Sequence, residues 1–261
     1  MEHYKISAVS YLNTKPLLFG LLQHPISEKL DLQLDIPARC AEKLQSGEVD
    51  LALVPVAIIP ELSSPYIVSD YCIGTIGPVK TVALYSERPI EELEEIILDH
   101  HSRTSVELIQ ILCREYWKVK PRFRKGQEGY IQEIKGKTGG LIIGDRTIGL
   151  EQQFSYVYDL GTAWKAFTGL PFVFAAWVSN RNLDPEFLQS FNTALKLGLD
   201  QLPKLKLLLQ SPHPDFDIHT YFTRYISYEL DLDKRKALKK FLAYLSPELQ
   251  PTLSKSLEPV L

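Results

Sequence analysis

Lys5-Ile6-Ser7-Ala8-Val9-Ser10-Tyr11-Leu12-Asn13-Thr14-Lys15-Pro16-Leu17-Leu18 decides how the rest of this 261-residue chain is read. A short apolar run, Lys5 to Val9, passes through a polar loop into an apolar helix, Lys15 to Leu22. Pro16 falls in the first helical turn, where its missing N–H has no partner to lose. A strand that ends in a loop and reopens as a helix is half of a βα unit, and such units in series build α/β architecture with a parallel sheet. The pattern recurs at once. Leu30 to Ile36 alternates as a half-exposed strand, Pro37 opens a helix over Ala38 to Gln45, and Gly47 closes it as a left-handed cap. Asp50 to Val54, before Pro55, is a buried strand.

Tyr66 to Ile73 and Thr81 to Tyr85 follow as strands, with Gly74, Gly77 and Pro78 between them, and here the chain is expected to cross into a second lobe. That lobe is predicted to hold a strand at Ile96 to Leu98 and a helix at Ser105 to Lys118. Thr104 and Glu107 have the spacing of a capping box for that helix, and Val106, Ile109, Leu112, Cys113 and Tyr116 share one face of it. A second helix at Glu128 to Lys135, strands at Gly140 to Ile143 and Tyr156 to Leu160, and a short helix at Ala163 to Thr168 complete it. Phe172 to Val178 then leads back, and from Asp184 onward the chain reads as helices punctuated by Pro203, Pro212, Pro214 and Pro247. The expected division is residues 1–80 plus 176–261 as one lobe and 81–175 as the other. Two crossings make a hinge, and the cleft beside it is a natural small-ligand site.

Charge and composition narrow the function. Lys and Arg number 29 against 32 Asp and Glu, a net charge of −3, without the basic surplus that grips a phosphate backbone, so no nucleic-acid partner is expected. Apolar runs fall far short of the roughly 20 residues that span a bilayer, and the start of the chain has no basic, apolar and small-residue leader pattern. A cytoplasmic protein without a membrane partner is the expectation. Cys40, Cys72 and Cys113 form no CxxC pair, which fits a reducing compartment better than a disulfide framework or a zinc site.

In open parallel sheets ligands bind beyond the carboxyl ends of the strands. That rule selects Ser10 to Thr14, Pro55-Val56, Ser86, Ser102 to Ser105 and Gly144-Asp145. The set holds many hydroxyls, one amide, two helix starts and a single Asp, with no His or Cys, and so suits recognition of a small anion. Each member has a purely structural competitor. Asn13 and Thr14 have the chemistry of helix caps, Arg103 that of a solvated surface charge, and Asp145 that of a turn residue. His100-His101 is a poor metal site, because adjacent histidines point apart and no third ligand has suitable spacing. Gly139-Gly140 lies in no phosphate-binding pattern.

Together, Ser10-Tyr11-Leu12-Asn13-Thr14-Lys15-Pro16-Leu17, Gly47 to Pro55, Ser102-Arg103-Thr104-Ser105-Val106, Ile143-Gly144-Asp145 and Asp159-Leu160-Gly161 with Phe172-Val173-Phe174-Ala175 resemble the chorismate dehydratase family of the futalosine route to menaquinone. The resemblance runs in order from residue 6 to about 180; beyond that the chain matches only as a generic helical tail. It implies a two-lobed, periplasmic-binding-protein-like (type 2) α/β fold, a cytoplasmic lyase without metal or organic cofactor, and the chorismate dianion as partner. It also places Asn13 at the reacting centre. Ser10, Pro55, Ser86, Ser102, Arg103, Thr104, Ser105, Gly144 and Asp145 are then the expected substrate-binding residues. Of the basic residues, only Arg103, Lys15 and Arg39 fall near these loops. The competing expectation, a solute-binding protein that closes on an organic anion without changing it, is permitted by the fold.

Overall fold

Parallel pairing of Tyr4–Val9 (β1) with Leu30–Asp35 (β2), from Tyr4 opposite Leu30 to Val9 opposite Asp35, starts the first of two sheets. The computed structural model describes residues 3–246; Pro247 and the extreme ends of the first expected lobe lie outside the described residues. Between β1 and β2 runs the helix Lys15–Gln23 (α1), with Pro16 in its first turn. The helix Pro37–Gln45 (α2) leads to the wholly buried strand Leu51–Pro55 (β3), parallel to β1. Gly47 takes the left-handed φ of 74° predicted for it.

After Tyr66–Thr75 (β4) the chain crosses to a second sheet. Its strands are Val82–Ser86 (β5), Glu95–Leu98 (β6), Arg122–Lys125 (β7), Thr138–Ile143 (β8) and Tyr156–Asp159 (β9), in the order β7-β6-β8-β5-β9. The helix Thr104–Ile111 (α3) follows β6, and Leu160–Thr168 (α4) follows β9. Phe172–Ser179 (β10) and Ser227–Glu229 (β11) return to the first sheet, whose order is β11-β4-β10-β3-β1-β2. The whole of β10 belongs there, so the chain is back in the first sheet by Phe172 rather than at 176.

Neither sheet is wholly parallel. β10 runs antiparallel to β3 and β4, and β5 runs antiparallel to β8 and β9. The helix expected over Ser105 to Lys118 is α-helical only to Ile111. It widens into a π-helical turn, Leu112–Trp117, and ends at Lys118 with φ of 57°. The helix expected over Glu128 to Lys135 is only the short 3-10 turn Tyr130–Glu133, because Gly129 and Gly136 take left-handed backbone on either side of it. The charged edge strand β7 and the three-residue β11 have no apolar run to announce them.

Two contacts fix the frame around the cleft. α1 packs on the helix Pro185–Asp200 (α5) with backbone touching backbone. A Cβ on Gly20 would lie 1.9 Å from the Ala194 carbonyl oxygen, and one on Gly198 1.9 Å from that of Pro16. At the crossings the Asp159 carboxylate accepts the N–H groups of Val79 at 3.0 Å and Lys80 at 2.7 Å, and caps α4 through Thr162 N–H at 2.8 Å. The outgoing and returning segments are therefore tied to each other.

Candidate functional site

The parallel strands β1, β3, β6 and β8 bring their carboxyl ends to one place between the sheets, where a narrow cleft opens. Asn13, Pro55, Ser102, Thr104, Ser105 and Gly144 all line it, from four separate loops. Its lining mixes the apolar side chains of Val9, Ile73, Val82, Ile143 and Phe174 with hydroxyls and one amide.

The loop after β1 shows why Asn13 is available for chemistry. It forms a 3-10 turn, Leu12–Thr14, that runs straight into α1, and neither Tyr11 nor Thr14 makes a side-chain cap. The Asn13 amide oxygen accepts the neighbouring Thr14 hydroxyl at 3.2 Å, the amide also hydrogen-bonds Tyr221, and among the described residues it caps no helix N–H. Its carbonyl accepts the Tyr228 hydroxyl at 2.9 Å. Tyr221, fully buried beside it, shares a 2.8 Å hydrogen bond with Thr81, and burial holds its phenol well above the usual range, fully protonated at neutral pH. Tyr11 is likewise a phenol, raised by burial against the opposing pull of Arg146. Its ring fills the space a side chain would need at Gly144, where a Cβ would stand 2.8 Å from it, and Gly144 also has φ of 69°.

At the start of α3 the expected Thr104–Glu107 box does not form. The cap is Ser102, whose Oγ accepts the Ser105 N–H at 3.1 Å, while Thr104 Oγ1 accepts the Ala57 N–H, 3.2 Å away in the turn after β3. Thr104 thus joins the two lobes as well as lining the cleft. His101 also joins the lobes from the loop before α3, its Nδ1 3.0 Å from the Tyr11 hydroxyl.

Four expected residues do not line the cleft. Ser86 lies at its remote side, because the antiparallel β5 points its first residue, Val82, at the cleft end of β8 and its last away; the Ser86 hydroxyl donates to Arg88 C=O. Ser10 is exposed, and its N–H extends the β1–β2 ladder to Asp35 C=O. Arg103 turns outward to Glu61 at 3.5 Å. Asp145 reaches past the cleft to the Leu12 N–H. Arg39 is engaged by Glu42 and Glu48. The lining residues consequently offer dipoles and hydroxyls rather than ionised groups, and the nearby guanidinium of Arg146 is bound by the fully buried Asp99 behind Tyr11. Thr81, Phe174 and the pair Tyr221 and Tyr228 were not selected by the strand-end rule. Phe174 and Thr81 belong to antiparallel strands or their starts, and the two tyrosines come from the tail, where no local pattern marks them.

No group of three or more His, Cys, Asp or Glu suited to a metal occurs among the described residues, and no described helix is long and apolar enough to cross a membrane. The three cysteines are free and buried, and burial pushes the Cys40 thiol up to about 11 and those of Cys72 and Cys113 to about 12.

A profile of the family described as menaquinone biosynthesis matches residues 4–247. A chorismate dehydratase of Thermus thermophilus is 27% identical over 275 residues, covering 96% of this chain and 98% of that protein. Among solved structures, the ligand-binding component of an ABC-type import system from Staphylococcus aureus superposes with a TM-score of 0.67 at 14% identity, covering 99% of this chain and 97% of its own. The periplasmic aliphatic sulphonate binding protein of Escherichia coli gives 0.60 at 15% identity, over 95% and 87%. The fold is therefore the two-lobed periplasmic-binding-protein type.

Proposed function

This chain belongs to the menaquinone biosynthesis family, and from that premise we propose that it is a chorismate dehydratase, a lyase that removes water from chorismate to give 3-[(1-carboxyvinyl)oxy]benzoate. The observation that carries the reading is the placement of the Asn13 amide, free of capping, in a cleft lined by both apolar side chains and hydroxyls. The apolar side chains take the ring, and the hydroxyls of Ser102, Thr104 and Ser105 with the N-terminal turn of α3 take a carboxylate.

The chemistry needs a base at C3 and hydrogen bonds to the hydroxyl leaving C4. The ring carboxylate activates the C3 hydrogen vinylogously. A neutral amide is a poor proton acceptor, so the substrate's own enolpyruvyl carboxylate takes that proton while Asn13 positions and polarises it. The electron pair of the broken C–H bond passes into the ring system and expels the C4 oxygen. That oxygen takes up the proton carried by the enolpyruvyl carboxyl group and leaves as water, which restores the carboxylate, and the ring becomes aromatic. Tyr221 and Thr81, hydroxyls bonded to each other beside Asn13, are available to hydrogen-bond the departing oxygen.

The test is to incubate the purified protein with chorismate, without metal or cofactor, and follow the product by chromatography and mass. A product lighter by one water, absent with Asn13→Ala, is expected. Unchanged chorismate together with a raised melting temperature would instead make the protein a receptor that binds the anion without converting it.

A further inference from the structure

Asn13 sits in a turn of only three residues whose leading residue supplies no side-chain cap. The first N–H groups of so short a turn stay unpaired unless something outside it binds them. For Leu12 that partner is Asp145, 133 residues away, whose two carboxylate oxygens each lie 3.1 Å from the Leu12 nitrogen. The partners stand on opposite lobes: Leu12 follows β1 of the first sheet, and Asp145 follows β8 of the second. Asp145 is itself held firmly. Its turn is anchored by Gly144 N–H donating to Thr81 C=O at 2.8 Å and by the Thr147 hydroxyl donating to Gly144 C=O at 2.8 Å.

Asn13 itself is bonded by Thr14 of the first lobe and by Tyr228 and Tyr221 of the tail. The Leu12–Asp145 bond exists only when the second lobe is seated against the first.

We infer that Asp145 is a positioning residue that couples lobe closure to the placement of the Asn13 amide, by clamping the Leu12 N–H at the head of its turn. The inference rests on the reading of Asn13 as the reacting-centre amide of a dehydratase. A carboxylate suits the task because a charge-assisted bond to N–H is stronger than a neutral one. With both oxygens equidistant, modest rotation of the side chain does not break it. Its place outside the cleft lining also keeps its negative charge from competing with a dianion for the cleft's donors. When the lobes part, Leu12 N–H returns to water and the turn loses its outer anchor. A misplacement of about 1 Å at a reacting group costs roughly a hundredfold in rate.

The experiment compares Asp145→Asn, Asp145→Ala, Leu12→Pro and the double variant Asp145→Ala/Leu12→Pro. Asn keeps an acceptor oxygen without the charge. Pro removes the donor N–H while leaving Asp145 intact, and Tyr11 before it already has the extended backbone a following proline requires, with ψ of 162°. Asp145→Ala and Leu12→Pro are each expected to lower kcat about thirtyfold with KM within about threefold of wild type. Asp145→Asn should retain at least roughly a third of kcat, and the double variant should be no worse than either single one. Hydrogen exchange at the Leu12 amide, measured without substrate, should be slow in wild type and Asp145→Asn and fast in Asp145→Ala.

Losses that multiply in the double variant would overturn the coupling, and so would a raised KM with kcat preserved, which marks a substrate ligand instead. Leu12 exchange unchanged by Asp145→Ala would overturn it without reference to turnover. If wild type leaves chorismate untouched, the functional reading fails separately and the exchange comparison still decides the clamp. If the alanine variant does not fold, Leu12→Pro decides it by turnover: kcat lowered with KM kept supports the clamp, and an unchanged kcat overturns it.

Discussion

The Tyr11 hydroxyl and His101 Nδ1 meet across the cleft at 3.0 Å, one residue from each lobe. Burial, and then the neighbouring Arg146, hold the His101 pKa below its usual value, so the folded state favours the neutral ring. The unfolded chain therefore binds more protons, and stability rises with pH. The contribution is complete above the ordinary histidine value of 6.5 and is lost as pH falls through the lower folded value. Between about pH 7 and pH 5, wild type should lose more urea resistance than His101→Gln. Parallel pH profiles for the two proteins would remove His101 from this account. Asp145 and Glu107, both raised by burial, act with the opposite sign and are common to both proteins.

Asn13→Ala should cost roughly a hundredfold or more in kcat, the range seen when one donor to a developing charge is removed. Asn13→Asp is expected to be no better, because an ionised carboxylate would face a dianionic substrate. Full activity of Asn13→Asp with an acid-shifted pH profile would mean that residue 13 itself can serve as the base, and the division of labour with the substrate's carboxylate would fall.

Gly144→Ala combines a left-handed backbone with a Cβ placed 2.8 Å from the Tyr11 ring. The backbone strain alone is about 1–2 kcal/mol, and Tyr11 must move to admit the methyl group. A lower melting temperature together with a KM raised several-fold is the expected pair of effects. A stability loss with unaltered KM would show that the Tyr11 ring does not shape the cleft.

Arg103→Ala should leave KM within about twofold and change stability by less than about 1 kcal/mol, as for an exposed ion pair. Its partner is Glu61, and both side chains reach solvent. A large rise in KM would return Arg103 to the substrate.

Much of this arrangement is legible in the sequence because it is local. Strand, loop and helix alternate from Lys5 to Pro55 with apolar spacing that admits one reading, and the loops after β1, β3, β6 and β8 were located by that alternation alone. Ser86 marks the limit of what local pattern carries. The rule that ligands sit beyond strand ends holds for parallel strands, and strand direction depends on pairing with β8, which no local pattern in β5 reveals. The Thr104–Glu107 spacing was legible too, yet Thr104 serves Ala57 on the other lobe, so a tertiary contact displaced the local one. Tyr221 and Tyr228 reach Asn13 through more than 200 residues of chain, Tyr228 at a separation of 215, and only the folded tail brings them there.

The Gly20–Gly198 contact has a thermodynamic consequence for turnover. With α1 pressed onto α5 at backbone distance, the helix that carries the reacting turn cannot slide, and the turn at its head can only pivot. Most of the ordering entropy of the reacting amide is therefore lost once, when the first lobe folds, and each catalytic cycle has to restrain only the swing of the second lobe. An alanine at either glycine would drive the helices apart and give that freedom back to the turn. Its signature would be a more negative activation entropy of kcat, even at temperatures where the protein remains fully folded.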